Sequence, residues 1–369
     1  MFTITNVSIM ATPENQKEDI DWYDFSGLSA ISQCNRKGLL TAHHKLKIKP
    51  LMDMPENQNT SAGTLFHGFA SCYNMAKDLW SSLSAREIAR IYRLEEFSLH
   101  DYTLCHAAAA EISSSHERAL VFTNEIFQCI PFADPVVQSA RAKTKDAVYK
   151  AGQLWAATQK NRSSKCIAVE QSFDMILSIT YDSVIDATTR TTIRNQNKII
   201  RLVGLIDAVF EDEHGNVFPL DYKSTGMYLN NTYLEGFRLS PQLVIYSWAL
   251  KVLSSGLAKD LSKQQQSWIA FEHVVIPPVS GKATTPNQYR NLFQVTPDST
   301  MSVLEWILTQ MCVIDNYGET PEYAIPSAPH SCTAYNQLCP FINYCSLPTA
   351  QRREFIINDM VESDWDPTK

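Results

Sequence analysis

This chain lacks a surplus of positive charge: 32 Lys and Arg stand against 39 Asp and Glu, a formal net charge of −7 at pH 7. That excludes a protein that coats nucleic acid through a broad, sequence-independent basic surface. No apolar run approaches the length of a membrane span, so no membrane partner is expected. The opening MFTITNVSIMATPENQ has neither a basic leader nor a continuous apolar stretch, so no signal peptide is expected either. A G-x-x-x-x-G-K-[ST] loop is also missing, which excludes an ATP-driven helicase motor in these residues. There is no internal repeat. Nor is there an exposed coiled-coil heptad to announce an assembly, although a homo-oligomer stays compatible with the chain. Cysteine is present but odd in number, 9 in all. Without a leader, this points to a reducing cytoplasmic location and free thiols, not to a disulfide framework.

What is present supports a sizeable core: 369 residues, 44% of them hydrophobic, suffice for one large domain or two ordinary ones. Residues 1–59 form an N-terminal segment. Between 60 and 165 the pattern is helical, with SAREIARIYRLEEFSL and CHAAAAEISSSHERALVFTNEIF at helical spacing. Its first element, TSAGTLFHGFASCYNMAKDLW, reads as a helix capped near Thr60 or Ser61, with His67 in its early turns. Strand signals gather over 166–295, from SKCIAVEQSFDMIL to SWIAFEHVVIPP, with the polar DATTRTTIRNQNK expected as a hairpin tip or loop. Over 296–369 a capped amphipathic helix from Thr296 to Tyr317 precedes three cysteines and an acidic tail.

The most informative stretch is a hairpin. RLVGLIDAVF and VFPLDYKST read as two strands joined at His214-Gly215-Asn216. Side chains alternate along a strand, so Asp221 and Lys223 share one face, and the pleat can bring Asp207 to them. Two carboxylates and one ammonium at a point suit metal-assisted phosphodiester cleavage, with oxygen ligands matching Mg²⁺ or Mn²⁺. Downstream, PQLVIYSWALKVL reads as a helix with Gln242 and Tyr246 one turn apart. Upstream, Glu170 interrupts an apolar strand, and Asp174 on the same face is its rival for a third acidic position.

The ordered set His67, Glu170, Gly204-x-x-Asp207, Asp221-x-Lys223 and Gln242-x-x-x-Tyr246 resembles the RecB-like branch of the PD-(D/E)XK nuclease superfamily, over about Leu28 to Cys345. That branch includes AddB-type recombination nucleases, CRISPR adaptation nucleases and phage exonucleases. The resemblance implies an α/β fold: a mixed central β-sheet of restriction-endonuclease type flanked by helices, with a helical insertion. It implies that His67, Asp207, Asp221 and the backbone carbonyl of Tyr222 ligate Mg²⁺ or Mn²⁺, and that Lys223 is the catalytic lysine. Glu170 would support the metal site, while Gln242 and Tyr246 contact DNA or buttress the strands. The implied activity is that of a DNA exonuclease on single strands or ends, in recombination, replication or end processing, in a bacterial or phage-infected cytoplasm. A separate helicase or recombinase would be its partner. A DNA-end-binding subunit without cleavage and a structure-specific endonuclease remain alternatives.

Cys72, Cys105, Cys129, Cys166 and Cys312 sit singly in apolar patterns and read as small core residues. Cys332, Cys339 and Cys345 cluster in SCTAYNQLCPFINYC, a loop-rich segment that calls for a metal centre to hold it. The resemblance adds Cys34 and implies a [4Fe-4S] cluster that joins the two ends of the domain. Here the chain departs from the family in two ways: six residues separate Cys332 from Cys339, and Asn35 follows Cys34. Zinc, or no metal, stays open at this site. Basic residues concentrate at Arg36, Lys37, Lys45, Lys47 and Lys49, and again at Arg141, Lys143, Lys145, Lys150, Lys160, Arg162 and Lys165. They are expected either to line a channel for single-stranded phosphate backbone or to solvate helix faces.

Overall fold

The computed structural model describes residues 2–17, 20–48, 58–132, 143–186, 191–226, 229–253, 267–276, 288–324, 332 and 339–362. In chain order come β1 (Phe2–Ala11), β2 (Trp22–Tyr23), α1 (Phe25–Gln33), α2 (Asn35–Gly38), β3 (Leu46–Ile48) and α3 (Gln58–Asp78). Then follow α4 (Ala85–Tyr92), α5 (Leu99–Ala110), α6 (Ser115–Cys129), α7 (Lys145–Thr158), β4 (Lys165–Asp186), β5 (Thr191–Glu211) and β6 (Val217–Thr225). The rest is α8 (Asn231–Glu235), α9 (Pro241–Leu253), β7 (Ser267–Val275), β8 (Gln288–Val295), α10 (Pro297–Tyr317), α11 (Ile342–Ser346), α12 (Thr349–Asp359) and β9 (Met360–Glu362). The fold is α/β. Among the described residues, seven strands form a mixed, mainly antiparallel sheet in the order β1-β4-β5-β6-β7-β8, with β2 paired to β5 and helices flanking it. Two compact units share the chain: one takes 1–54, 172–204 and 296–369, the other 55–171 and 205–295.

Serine and threonine caps define the helices of the second unit. Ser84, Ser98, Ser114 and Thr144 each accept a backbone N–H from three residues on, satisfying donors that would otherwise be orphaned. The buried faces converge on α3, where Phe66, Phe69 and Tyr73 meet Phe122, Phe127 and Trp155, with Tyr73 and Trp155 rings 5.4 Å apart. Each such ring contributes roughly 1.5–3 kcal/mol by burial. Strands β6 and β7 run parallel, and parallel neighbours require a crossover, here through α8 and α9. That crossover brings the first turn of α9, begun by Pro241, back to the end of β6.

In the first unit β1 pairs antiparallel with β4, β3 with β9, and α10 starts from a Thr296–Ser299 capping box with Pro297 in its first turn. The opening segment, read above only for its lack of a leader, is thus a strand. The polar run 186–198 is corrected as well: from Thr191 onward it is β5, its β-branched residues extended against the sheet, and the tip 187–190 lies outside the described residues. The start of α3 is Gln58, ahead of the expected cap. Cys72, Cys105 and Cys166 are buried as expected. Cys129, the last residue of α6, is exposed, and Cys312 is half-buried, so neither is a core thiol. Residues 277–287, the acidic tail from 363, Lys49 and Arg141 lie outside the described residues. Among the described residues no helix is long and apolar enough to cross a membrane.

Candidate active site

The pairing of β5 with β6 runs from Glu211↔Val217 to Ala208↔Leu220. One residue further, the ladder gives way to a side chain: the Tyr222 backbone N–H donates to Asp207 Oδ2 at 2.7 Å. Asp207 is thereby fixed where the strands part, beside Asp221. On α3, the His67 ring places Nδ1 3.3 Å from the same Asp207 oxygen. Alternation along β6 puts Asp221 and Lys223 on one face, with Lys223 Nζ 2.5 Å from Asp221 Oδ2.

The first turn of α9 completes the group. Gln242 Nε2 donates to Asp221 Oδ1 at 2.7 Å and to the Tyr246 hydroxyl at 2.8 Å, while its Oε1 accepts from Lys223 Nζ at 3.0 Å. The Tyr246 hydroxyl in turn donates to the Leu205 carbonyl at 2.8 Å. Gln242 therefore orients acid and lysine together. Glu170 accepts from Ser71 Oγ at 3.2 Å. Its rival Asp174 is engaged elsewhere: Arg201 holds it through Nε at 2.9 Å and a second guanidinium nitrogen at 2.7 Å.

Charge accounts for the chemistry of this cluster. Burial, with Asp207 adding to it, lifts the Glu170 carboxyl to about 7. Asp221 is also raised, by burial first, with Lys223 opposing and Asp207 adding. Burial pushes Asp207 the same way, yet His67, the Tyr222 N–H and Lys223 together carry it below the ordinary range. His67 is raised because Asp207, Asp221 and Glu170 outweigh its desolvation. Three buried acids thus face one lysine and one histidine. An excess of buried negative charge with hard oxygen donors and an imidazole is the donor chemistry of a Mg²⁺ or Mn²⁺ site. Asp221 Oδ2 is buried and its charge is met by the Lys223 ammonium at 2.5 Å. Among the described residues, no three His, Cys, Asp or Glu side chains converge on a single coordinating point. In this arrangement the ammonium of Lys223 stands at Asp221.

Three further residues of this unit went unnoticed in the sequence. Ser71, Asn74 and Asp78 follow His67 at steps of four, three and four, one stripe of α3. Asn74 donates to the Tyr222 hydroxyl at 2.6 Å and accepts from Arg162 at 2.7 Å, and Asp78 accepts from Arg162 and from the Cys166 N–H. That spacing was readable. Of the basic residues expected to line a channel, Arg162 is thus committed to this network, Lys143 and Arg36 are buried, and Lys150 pairs with Asp146.

In the first unit, Cys34 is buried and Cys332, Cys339 and Cys345 are half-buried. The Cys339 N–H donates to the Cys332 carbonyl at 2.8 Å. Burial raises the Cys339 thiol, and the neighbouring Cys34 and Cys345 sulfurs add to the rise. The four cysteines therefore gather in one region, although they do not form a closed metal-holding set among the described residues. No family model matches this chain, and no curated protein is significantly similar to it.

Proposed function

We propose that this protein is a metal-dependent deoxyribonuclease of the PD-(D/E)XK type that acts on single strands or DNA ends. One observation carries the reading: where β5 and β6 part, Asp207, Asp221 and Lys223 come together beside His67 and Glu170. His67, Asp207, Asp221 and the Tyr222 carbonyl would hold Mg²⁺ or Mn²⁺, with Glu170 in support. Bound there, the cation would supply Lewis-acid polarisation of the phosphate and a more acidic water. The chain's own part is electrostatic and orientational. Lys223, only partly exposed, is a positive charge placed to receive the negative charge that develops on a phosphate oxygen. Gln242 and Tyr246 keep that ammonium and the Asp221 carboxylate in fixed relation. The same reading assigns Cys34, Cys332, Cys339 and Cys345 to a [4Fe-4S] cluster, supported by their gathering in one unit, and leaves any motor to a partner chain.

The test is degradation of end-labelled single- and double-stranded DNA with Mg²⁺, Mn²⁺ or EDTA, comparing wild type with Lys223→Ala. Metal-dependent release of label by the wild type alone is expected, by at least about 100-fold over the variant. Equal activity of the two proteins would remove Lys223 from catalysis. DNA binding with no cleavage of any substrate would favour an end-binding subunit.

A further inference from the structure

Glu170 has a backbone φ of 46°, left-handed for a residue that is not glycine. Val169 and Glu170 are both buried, so the in-and-out alternation of β4 breaks at this point. Such strain persists only where the surroundings impose it. Arg90 on α4 holds both carbonyls of this turn: one guanidinium nitrogen donates to the Glu170 carbonyl at 2.7 Å and the other to the Val169 carbonyl at 3.3 Å. The guanidinium is itself held by Glu87 through two contacts of 3.0 and 2.8 Å. Helix α4 has little freedom to shift. A Cβ on Gly68 would meet the Tyr92 ring at 2.5 Å, so α4 lies against α3 at the residue next to His67.

We propose that Arg90 is a positioning residue: it clamps the left-handed turn of β4 and thereby directs the Glu170 carboxylate to Ser71 and into the acidic cluster. Arg90 touches no reacting group. This inference rests on the nuclease reading of the site. It also assigns a role to an exposed-edge arginine in a helix that the sequence marks as unremarkable, and it explains why Glu170, not Asp174, joins the site.

The test is a double-mutant cycle in the full-length chain, read by calorimetric titration with Mn²⁺ alone and by cleavage of a single-stranded oligonucleotide. Arg90→Ala should weaken Mn²⁺ binding by about tenfold and lower kcat, with KM for the oligonucleotide unchanged. Arg90→Lys keeps the charge but cannot reach both carbonyls, so it should show most of the same loss. In a Glu170→Ala background, Arg90→Ala should add nothing further to the loss of Mn²⁺ affinity. Additive losses in that background would overturn the proposal, as would unchanged Mn²⁺ affinity in either Arg90 variant. Should wild type itself bind no Mn²⁺, the metal-site reading falls and this inference with it. Wild type that binds Mn²⁺ as tightly as both Arg90 variants overturns the clamp alone.

Discussion

Asp221 keeps a carboxylate at 3% exposure beside Asp207, balanced chiefly by Lys223. In the metal-free protein that charge is a cost, since burial and a like charge both favour its neutral form. Asp221→Asn should therefore do two opposite things. It should abolish metal-dependent cleavage, and in EDTA it should raise stability by about 1 kcal/mol, measured by urea unfolding. Loss of both activity and stability would mean that Asp221 is a packing residue. Much at this scale was legible: strand alternation set Asp221 and Lys223 on one face, and helical spacing paired Gln242 with Tyr246. Two things were not. The capture of Asp207 by the Tyr222 N–H depends on where the β5–β6 ladder ends. Glu170 was separable from Asp174 only by a backbone dihedral and by Arg201, a partner 27 residues from Asp174 in sequence.

Helix α3 is the element that organises the site, because one stripe of it addresses three strands. His67 faces Asp207 on β5, Ser71 faces Glu170 on β4, and Asn74 faces Tyr222 on β6. The Asn74 contact sits on the side chain of the residue whose N–H holds Asp207, so the register of α3 and the position of that carboxylate are coupled. Removing the two partners should have unequal effects. Tyr222→Phe deletes one hydroxyl and should cost about 1 kcal/mol; Asn74→Leu strands the buried Tyr222 hydroxyl and an Arg162 nitrogen, and should cost roughly 2–4 kcal/mol. Urea denaturation of both variants checks this, and equal costs would show that the network is not shared. The helices of this unit were readable from their serine and threonine caps and their spacing. β1 and the first half of β5 were not, since a polar edge sequence becomes a strand only when a partner strand is supplied.

At the scale of the molecule, the patterns separated a helical region from a strand-rich one and the α/β class was what the resemblance implied, whereas the division into two units built from five interleaved segments was in neither. Local periodicity carries no information about which distant segments pack together. The cysteines make one molecular-scale prediction: a cluster joining Cys34 to the C-terminal three closes a loop of about 300 residues, so anaerobically purified protein should contain iron and absorb near ~400 nm, and Cys339→Ala should lose both. Iron-free, colourless wild type would remove the cluster. A second concerns pH. His273 on β7 is 0% exposed, aligned with Lys223 across the parallel pair and ringed by Tyr233, Phe237 and Phe271, with both ring nitrogens lacking a hydrogen bond. Burial, and then the Lys223 charge, depress its pKa from 6.5 to about 4. The folded state thus prefers neutral imidazole, while the unfolded chain takes up a proton near the ordinary value. The stability this contributes is complete above pH 6.5 and is lost as pH falls toward 4, by roughly 3 kcal/mol in all. His273→Phe suits the aromatic surroundings and has no proton to gain. Its stability advantage over wild type, measured by urea unfolding from pH 7.5 down to pH 4, should widen steadily below 6.5; a gap that stays constant across that range would show that His273 does not titrate with folding.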